Sequence, residues 1–186
     1  MEQFEIYSDI SARTGGDIYV GVVGPVRTGK STFIKKFMDN VVLNNLADTA
    51  DKQRMIDELP QSGNGKIIMT TQPKFVPNNA VKVNFNEELS ANVRLVDCVG
   101  YFVPGAEGNL TSDGNMRMVK TPWQETEMTL EQAAEIGTKK VIEEHSTIAV
   151  LVTTDGSFTD INRLAYISAE ERVAKELTSA KKPFII

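Results

Sequence analysis

The sequence predicts an α/β fold in which helices flank a mostly parallel sheet. Residues 17–24 form a nearly continuous apolar run, which is typical of a strand that is buried on both faces. An amphipathic helical pattern follows at once, and strand patterns alternate with helical patterns over the rest of the chain. Alternation of this kind favours layers of helices packed on a sheet.

Each predicted element follows from the spacing of its apolar residues and from the glycine, proline or capping residues that bound it. In chain order the elements are a short helix at 4–12, a strand at 17–24, a helix from about Gly29, a helix at 51–59, strands at 81–85 and 93–97, a helix at 130–144, a strand at 147–152, a helix at 168–180 and half a strand at 183–186. Residues 101–129 carry glycines and prolines with little periodicity and are predicted to form a long mobile loop without regular structure, a kind of loop that is usually functional.

The chain of 186 residues is predicted to be one domain, 1–186, with a short N-terminal extension at 1–16. We expect it to be cut within the fifth core strand of a longer protein, so that C-terminal domains are absent. The net charge of -5 argues against a nucleic-acid partner. A single cysteine, Cys98, without a signal peptide or a long apolar segment, predicts a cytoplasmic protein.

A phosphate-binding loop is predicted at residues 24–31, whose sequence G-P-V-R-T-G-K-S matches G-x-x-x-x-G-K-[ST] in full. Backbone N–H groups of such a loop surround an anion, Lys30 would reach the β- and γ-phosphates, and the Ser31 hydroxyl would bind Mg²⁺. A chance glycine turn with an exposed lysine is the weaker alternative, because a strand precedes the loop and a helix follows it. The residues predicted to bind the nucleotide here are Gly24, Pro25, Val26, Arg27, Thr28, Gly29, Lys30, Ser31 and Thr32.

Asp97 ends a predicted strand and forms the pattern D-x-x-G with Gly100. A carboxylate at that strand end can hold Mg²⁺, and the Gly100 N–H can approach the γ-phosphate because no side chain blocks it. An aspartate that merely caps a turn is the alternative, and it would be the better interpretation if no phosphate-binding loop preceded it.

Thr70 and Thr71 lie in a predicted loop between the helices and the next strand. A threonine there can complete the Mg²⁺ shell and sense the γ-phosphate, so both are predicted sensor residues and Thr71 is also a predicted Mg²⁺ ligand. Threonines of high β-propensity that simply enter a strand explain the pair almost as well. That alternative stays open on the sequence.

Several longer blocks resemble the stage IV sporulation protein A family, the spore-coat morphogenetic ATPases of endospore-forming bacteria. They are IYSDISARTGGDIY at 6–19, which leads into GPVRTGKSTFIK at 24–35, then TTQPKFVP at 70–77, VDCVGY at 96–101 and TTDGS at 153–157. The resemblance covers the whole chain, and the first block is far more specific than the phosphate-binding motif alone.

The resemblance implies a domain related to translation-factor-class GTPases that uses ATP instead. It implies that the protein forms static polymers, driven by ATP hydrolysis, at the outer forespore membrane in the mother-cell cytoplasm. It also implies recruitment by a small amphipathic membrane-anchoring peptide and binding of other spore-coat morphogenetic proteins. Peripheral membrane association would then depend on a C-terminal region outside this chain.

By motif position, the resemblance makes Lys30 the Walker A lysine, Asp97 the Walker B aspartate, and Thr70 and Thr71 the sensor threonines. Related GTPases read guanine with Asn-Lys-x-Asp after the fifth strand, which here is expected to begin at Pro183 and to be cut off at Ile186, and the motif does not occur earlier. The residues alone therefore leave ATP and GTP open. Tyr101 stands where many GTPases carry a glutamine that positions water, so hydrolysis is expected to be slow or organised differently.

The leading hypothesis is a Mg²⁺-dependent ATPase domain whose turnover drives self-assembly of a coat scaffold. A GTPase switch that exchanges partners and a polymer subunit that binds nucleotide without turnover are the two alternatives. Arg27, within the phosphate-binding loop, is a predicted catalytic residue that supplies positive charge to the transition state in cis. A solvent-facing arginine explains that position about as well.

Overall fold

The computed structural model describes residues 16–45, 49–60, 68, 72–84, 90–157 and 159–186. Within these ranges the chain forms, in order, strand β1 (Asp17–Val23), helix α1 (Lys30–Phe37), a π-helical turn (Met38–Val42), a 3₁₀ turn (Leu43–Asn45), helix α2 (Thr49–Glu58), strands β2 (Lys74–Asn84), β3 (Ser90–Asp97), β4 (Met118–Thr121) and β5 (Gln124–Thr129), helix α3 (Leu130–Lys140), a π-helical turn (Val141–His145), strand β6 (Ile148–Leu151), helix α4 (Arg163–Ser179) and strand β7 (Phe184–Ile185).

The main sheet has the strand order β2-β3-β1-β6-β7 among the described residues. β1 pairs in parallel with β3 and β6, β6 pairs in parallel with β7, and only β2 runs antiparallel to its neighbour. The predicted α/β fold with a mostly parallel sheet is therefore confirmed. Val22 lies opposite Asp97 on one side and Val150 on the other, so three strands end at the same edge of the sheet. Ligands of open parallel sheets bind in the crevice outside such carboxyl ends.

Buried side chains form two clusters, one on each face of the sheet. Val22 of β1 packs in the cluster that holds Ile34 and Met38, whereas Val23 packs in the cluster that holds Val173 and Leu177 of α4. Successive residues of a strand point to opposite faces, and here both faces are covered by helices. This double burial explains why β1 appears in the sequence as a continuous apolar run.

Helix α4 begins earlier than the sequence pattern predicts. The Asn162 side chain accepts a hydrogen bond from the Leu164 N–H at 2.9 Å and so caps a helix that begins at Arg163, five residues before the predicted start at Ser168. Asparagine is among the best N-terminal capping residues, because its side-chain oxygen satisfies an amide that the first turn leaves free. The acidic pattern after Ser168 lies inside the helix, and the predicted boundary was wrong.

The segment 101–129 contains more regular structure than the predicted loop. β4 and β5 form an antiparallel pair that joins directly to α3, and an isolated antiparallel bridge links Leu110 to Met116. The strands of this pair are mostly exposed, so they carry few of the apolar residues that make a strand visible in sequence. The prediction of a long structureless loop was wrong for its second half.

Strand β2 also starts earlier than predicted, at Lys74 instead of residue 81. Its register against β3 shifts between Val76 and Val81, a stretch that contains Pro77. Proline lacks the N–H that a strand ladder needs, so it is found at edge strands and irregularities such as this one. The shift hides the first half of the strand from an alternation pattern.

Two sequence-based expectations fall outside the described residues, namely the helix at 4–12 and the position of Thr70 and Thr71. The strand half predicted at 183–186 is present as β7, beside β6. No helix within the described ranges is long and apolar enough to cross a membrane.

The start of α3 offers a test of the local energetics. Thr129 accepts a hydrogen bond from the Gln132 N–H at 3.2 Å, and the Gln132 side chain accepts one from the Thr129 N–H at 3.1 Å, which together form a capping box. Thr129→Ala should lower the free energy of unfolding by about 1 kcal/mol, because an amide loses its acceptor. Urea denaturation measures the change. Thr129→Ser keeps the hydroxyl and is the control; equal losses in both variants would contradict the capping role.

Candidate phosphate-binding site

The loop between β1 and α1 can only be built with glycine at its first position. Gly24 has a φ of +143°, and a side-chain carbon there would lie 2.3 Å from the backbone oxygen of Val152. Gly29, at the start of α1, has a φ of +92°. Both conformations are ones that other residues rarely adopt. The two glycines therefore fix the path of the loop around the amino end of the helix.

Hydrogen bonds hold this loop against the turn that follows β3. The Val26 N–H donates to the Tyr101 carbonyl at 2.9 Å, and the Thr28 hydroxyl donates to the Pro25 carbonyl at 3.0 Å. Arg27 is partly exposed and has a φ of +60°, an uncommon conformation for a residue with a side chain. Thr32 is exposed on α1. The loop and the turn after β3 thus form one connected unit.

Lys30 is buried at the centre of this unit, with 5 % of its surface exposed. Its Nζ donates to the Pro25 carbonyl at 2.6 Å. Burial lowers the pKa of Lys30 because the charged form loses hydration, while negative charge on Asp97 acts in the opposite direction. An anion placed beside this ammonium would favour its charged form and raise its pKa.

Asp97 is buried next to it, at the end of β3. The Ser31 hydroxyl donates to Asp97 Oδ2 at 2.7 Å, which joins the first turn of α1 to the end of β3. Burial raises the pKa of Asp97, and the Ser31 hydrogen bond and the charge of Lys30 only partly oppose this. The sheet edge therefore holds a lysine and an aspartate whose charged forms are both disfavoured by desolvation.

The second carboxylate oxygen of Asp97 indicates what the site can hold. Asp97 Oδ1 is buried and has no hydrogen-bond partner among the described residues. Mg²⁺ prefers oxygen ligands and usually keeps several waters together with one or two carboxylates and phosphate oxygens. No group of three or more metal-binding side chains exists in the described part of the chain. The Ser31 and Asp97 oxygens thus fit a magnesium ion that takes its other ligands from phosphate and water.

Gly100 lies directly against the phosphate-binding loop. Its φ is +92°, and a side-chain carbon there would lie 2.1 Å from the Gly24 carbonyl oxygen and 2.6 Å from Lys30 Nζ. The Gly100 N–H donates to the Thr138 hydroxyl at 3.2 Å. Sequence reasoning did not identify Thr138. The available signal was a polar residue at a spacing of four from Ala134 on the apolar face of α3.

Tyr101 is buried on the other side of the turn, and its side chain points to α4. Its hydroxyl donates to Glu176, and the guanidinium of Arg172 lies 4.2 Å from the centre of its ring. Arg172 in turn bonds Glu135 of α3 and Glu176. Burial, followed by the hydrogen bond to Glu176, raises the pKa of Tyr101. The hydroxyl is therefore committed to α4 and is not free to orient a water at the sheet edge.

Cys98 and His145 both take part in packing: Cys98 is buried, and His145 contacts an aromatic ring. The Cys98 thiol is buried, and burial raises its pKa to about 11, so it is a neutral thiol near pH 7, as expected for an inert buried cysteine. His145 packs edge-on against Phe75 with ring centres 5.7 Å apart. Thr70 and Thr71 lie outside the described residues, so their distance from Asp97 is not part of this geometry.

Comparison with known proteins agrees with the resemblance. The family model "Stage IV sporulation protein A, ATPase domain" matches residues 1–186. Stage IV sporulation protein A of Bacillus subtilis (strain 168) is 61% identical over 186 residues, which are 100% of this chain and 38% of that protein. The protein of the same name from Clostridioides difficile (strain 630) is 58% identical over 181 residues, 97% of this chain and 37% of that protein.

The matched model describes an ATPase domain, and the chain belongs to the stage IV sporulation protein A family. The predicted resemblance is thereby confirmed. The chain spans less than two fifths of the length of these curated relatives. No solved structure matches the chain significantly.

Because the pKa of Asp97 is raised, replacing its carboxyl group with a neutral amide is predicted to increase folding stability in a pH-dependent way. A folded-state pKa above the unfolded value contributes stability that is present at low pH and lost as pH rises through the folded pKa. Asp97→Asn should therefore raise the melting temperature near pH 7, at roughly 2–4 °C for each kcal/mol, and the gain should shrink toward acid pH. Thermal unfolding across this range, without nucleotide, measures it.

Asp155→Asn is the matched control for this effect. Asp155 is exposed, and its pKa is lowered by hydrogen bonds from Ser157, so its charged form is favoured in the folded protein. Asp155→Asn should not stabilise the protein near pH 7. A melting temperature for Asp97→Asn that is unchanged or lower at every pH would contradict the predicted cost of the buried carboxylate.

Proposed function

We infer that this chain is a P-loop nucleotide-binding domain, related to translation-factor-class GTPases, that binds ATP with Mg²⁺ and hydrolyses it. One observation carries this proposal: Ser31, at the start of α1, donates a hydrogen bond at 2.7 Å to Asp97, at the end of the strand beside β1. The two residues come from the two sequence motifs that phosphate and Mg²⁺ binding require, and they meet beside buried Lys30.

Phosphate binding would use charge that is already in position. The amino end of α1 carries a partial positive charge, and the loop that precedes it can direct backbone N–H groups at an anion. Lys30 Nζ donates a hydrogen bond to the Pro25 carbonyl at 2.6 Å, and a β- or γ-phosphate beside it would stabilise its ammonium form. The proposed nucleotide-binding residues are Gly24, Pro25, Val26, Arg27, Thr28, Gly29, Lys30, Ser31, Thr32 and Gly100.

Magnesium would be held by Ser31 and Asp97, with Thr71 as a further proposed ligand. When bound, the ion supplies positive charge to the phosphate oxygens, where negative charge redistributes during transfer. The unpartnered Oδ1 of Asp97 supports this assignment. Thr70 and Thr71 remain the proposed sensors of the γ-phosphate.

The choice of ATP rests on the family. The chain belongs to a family whose matched domain is named an ATPase domain. A GTPase switch is therefore the less favoured candidate. Competition of unlabelled ATP and GTP against labelled ATP distinguishes the two, and stronger competition by GTP would reverse the choice.

The proposed cellular role applies to a protein as long as the curated relatives, of which this chain covers less than two fifths. We place it in assembly of the spore coat, where ATP hydrolysis would drive self-assembly into static polymers at the outer forespore membrane, in the mother cell. A small amphipathic membrane-anchoring peptide and other spore-coat morphogenetic proteins are the proposed partners. Membrane contact would depend on regions outside residues 1–186.

Substitutions in the two motifs should separate nucleotide binding from hydrolysis. Lys30→Ala should weaken ATP binding by about tenfold or more, because the phosphates lose their buried cation. Asp97→Ala should affect hydrolysis more than binding, by about a hundredfold in kcat, because charge placement matters most in the transition state. Titration with fluorescent ATP and single-turnover phosphate release measure the two effects.

Lys36 is an exposed lysine on the same helix, so Lys36→Ala is the control for Lys30→Ala. This control variant should bind ATP like the wild type. If Lys30→Ala and Asp97→Ala both bound and hydrolysed ATP normally, the site assignment would be wrong. Normal binding with no phosphate release in the wild type would instead favour a polymer subunit that holds nucleotide without turnover.

Arg27 is the proposed source of a transition-state cation in cis, since the Tyr101 hydroxyl is committed to Glu176. Arginine fingers contribute roughly 10³–10⁵ to the rate in related enzymes. Arg27→Ala should lower kcat with little change in ATP affinity, and potassium should restore part of the loss where sodium does not. Arg27→Lys tests whether charge alone suffices. A loss of affinity without loss of kcat, or no effect, would mean that Arg27 only faces solvent.

A further inference from the structure

The Gly100 amide has an acceptor that belongs to neither motif. Gly100 donates to the hydroxyl of Thr138 at 3.2 Å, and Thr138 is fully buried on α3. The turn between Asp97 and Tyr101 is thus attached to α3 through a single threonine.

The same amide is the group that the D-x-x-G pattern assigns to a γ-phosphate. One backbone N–H makes one well-aligned hydrogen bond, so the Thr138 hydroxyl and a phosphate oxygen are alternative acceptors. We propose that Thr138 competes with the terminal phosphate for the Gly100 N–H and thereby sets how strongly the site prefers a nucleoside triphosphate over a diphosphate. The proposal rests on the proposed nucleotide-binding function.

Thr138 lies where α3 packs closely against neighbouring segments of the site. Gly100 lies so close to the loop that a side-chain carbon there would be 2.1 Å from the Gly24 carbonyl oxygen, so its N–H is held beside the residues proposed to bind phosphate. On α3, the residue before Thr138 is Gly137, where an added side-chain carbon would lie 3.2 Å from Pro73. Pro73 follows the proposed sensor Thr71 by two residues in the sequence. This turn of α3 therefore packs beside both segments that the γ-phosphate would engage.

The energetic consequence has a definite sign. When the amide donates to a phosphate, Thr138 loses one bond that it would keep with a diphosphate, so its hydroxyl opposes triphosphate binding. Removing the hydroxyl leaves a buried amide without an acceptor in every state except the triphosphate complex. The affinity for triphosphate should then rise, and the affinity for diphosphate should stay the same, because the free protein and the diphosphate complex lose the same bond.

The test compares Thr138→Val, which removes the acceptor at nearly constant shape, with Thr138→Ser, which keeps it. Dissociation constants are measured by calorimetry for a non-hydrolysable ATP analogue and for ADP, both with Mg²⁺. Thr138→Val should raise the ratio of triphosphate to diphosphate affinity by about tenfold. Thr138→Ser should leave this ratio within about twofold of the wild type, because the hydroxyl remains.

A general packing defect would weaken both nucleotides alike and leave the ratio unchanged, which would overturn the proposal. Thr138→Ala also lacks the hydroxyl and serves if the valine variant does not fold; it should raise the ratio in the same direction. Lys30→Ala, measured in parallel, distinguishes failure of the proposed nucleotide-binding function from failure of the proposed role of Thr138. If it binds nucleotide normally, the proposed function fails; if it loses binding while Thr138→Val keeps the wild-type ratio, only this inference fails.

Discussion

Two buried side chains of opposite charge, Lys30 and Asp97, interact at the carboxyl edge of the sheet, and the rest of the site is arranged around them. Each carries a pKa that burial shifts toward its neutral form, and the attraction of the other opposes that shift only in part. A pair of this kind is a poor source of stability, because desolvation can exceed the attraction between the charges. The pair is therefore better explained by the ligands that it can bind than by a contribution to folding stability.

The backbone around Lys30 and Asp97 is closely packed, so few residue types fit at the neighbouring positions. Gly24 and Gly100 have positive φ angles, and a side chain on Gly24 would meet the Val152 carbonyl oxygen, while one on Gly100 would meet the Gly24 carbonyl oxygen. The Ser31 hydroxyl is directed at one oxygen of Asp97, while the other oxygen is left without a partner among the described residues. A phosphate and its metal ion would relieve both costs at once, since the ammonium would gain an anion and the carboxylate a cation.

Behind the site, the turn after β3 is bound to two helices by separate contacts. Gly100 bonds Thr138 of α3, and Tyr101 bonds Glu176 of α4, where Arg172 links the two helices through Glu135. Any movement of the turn toward a phosphate would have to break or stretch these contacts. The arrangement joins the turn after β3 to charged side chains of α3 and α4, namely Glu135, Arg172 and Glu176.

Periodicity and short motifs are local in the chain, so the sequence was enough to predict the mostly parallel sheet and a candidate site formed by residues 24–31 and Asp97. The sequence also showed the resemblance to the stage IV sporulation protein A family, which the comparisons confirm. It failed where structure is not local: at Asn162, whose capping role depends on where the chain enters α4; at Pro77, which conceals half of β2; and at the exposed strands β4 and β5. Only the tertiary structure brought Thr138 to Gly100 across 38 residues and directed Tyr101 away from the sheet edge to Glu176, because such contacts are decided by the packing of helices on the sheet.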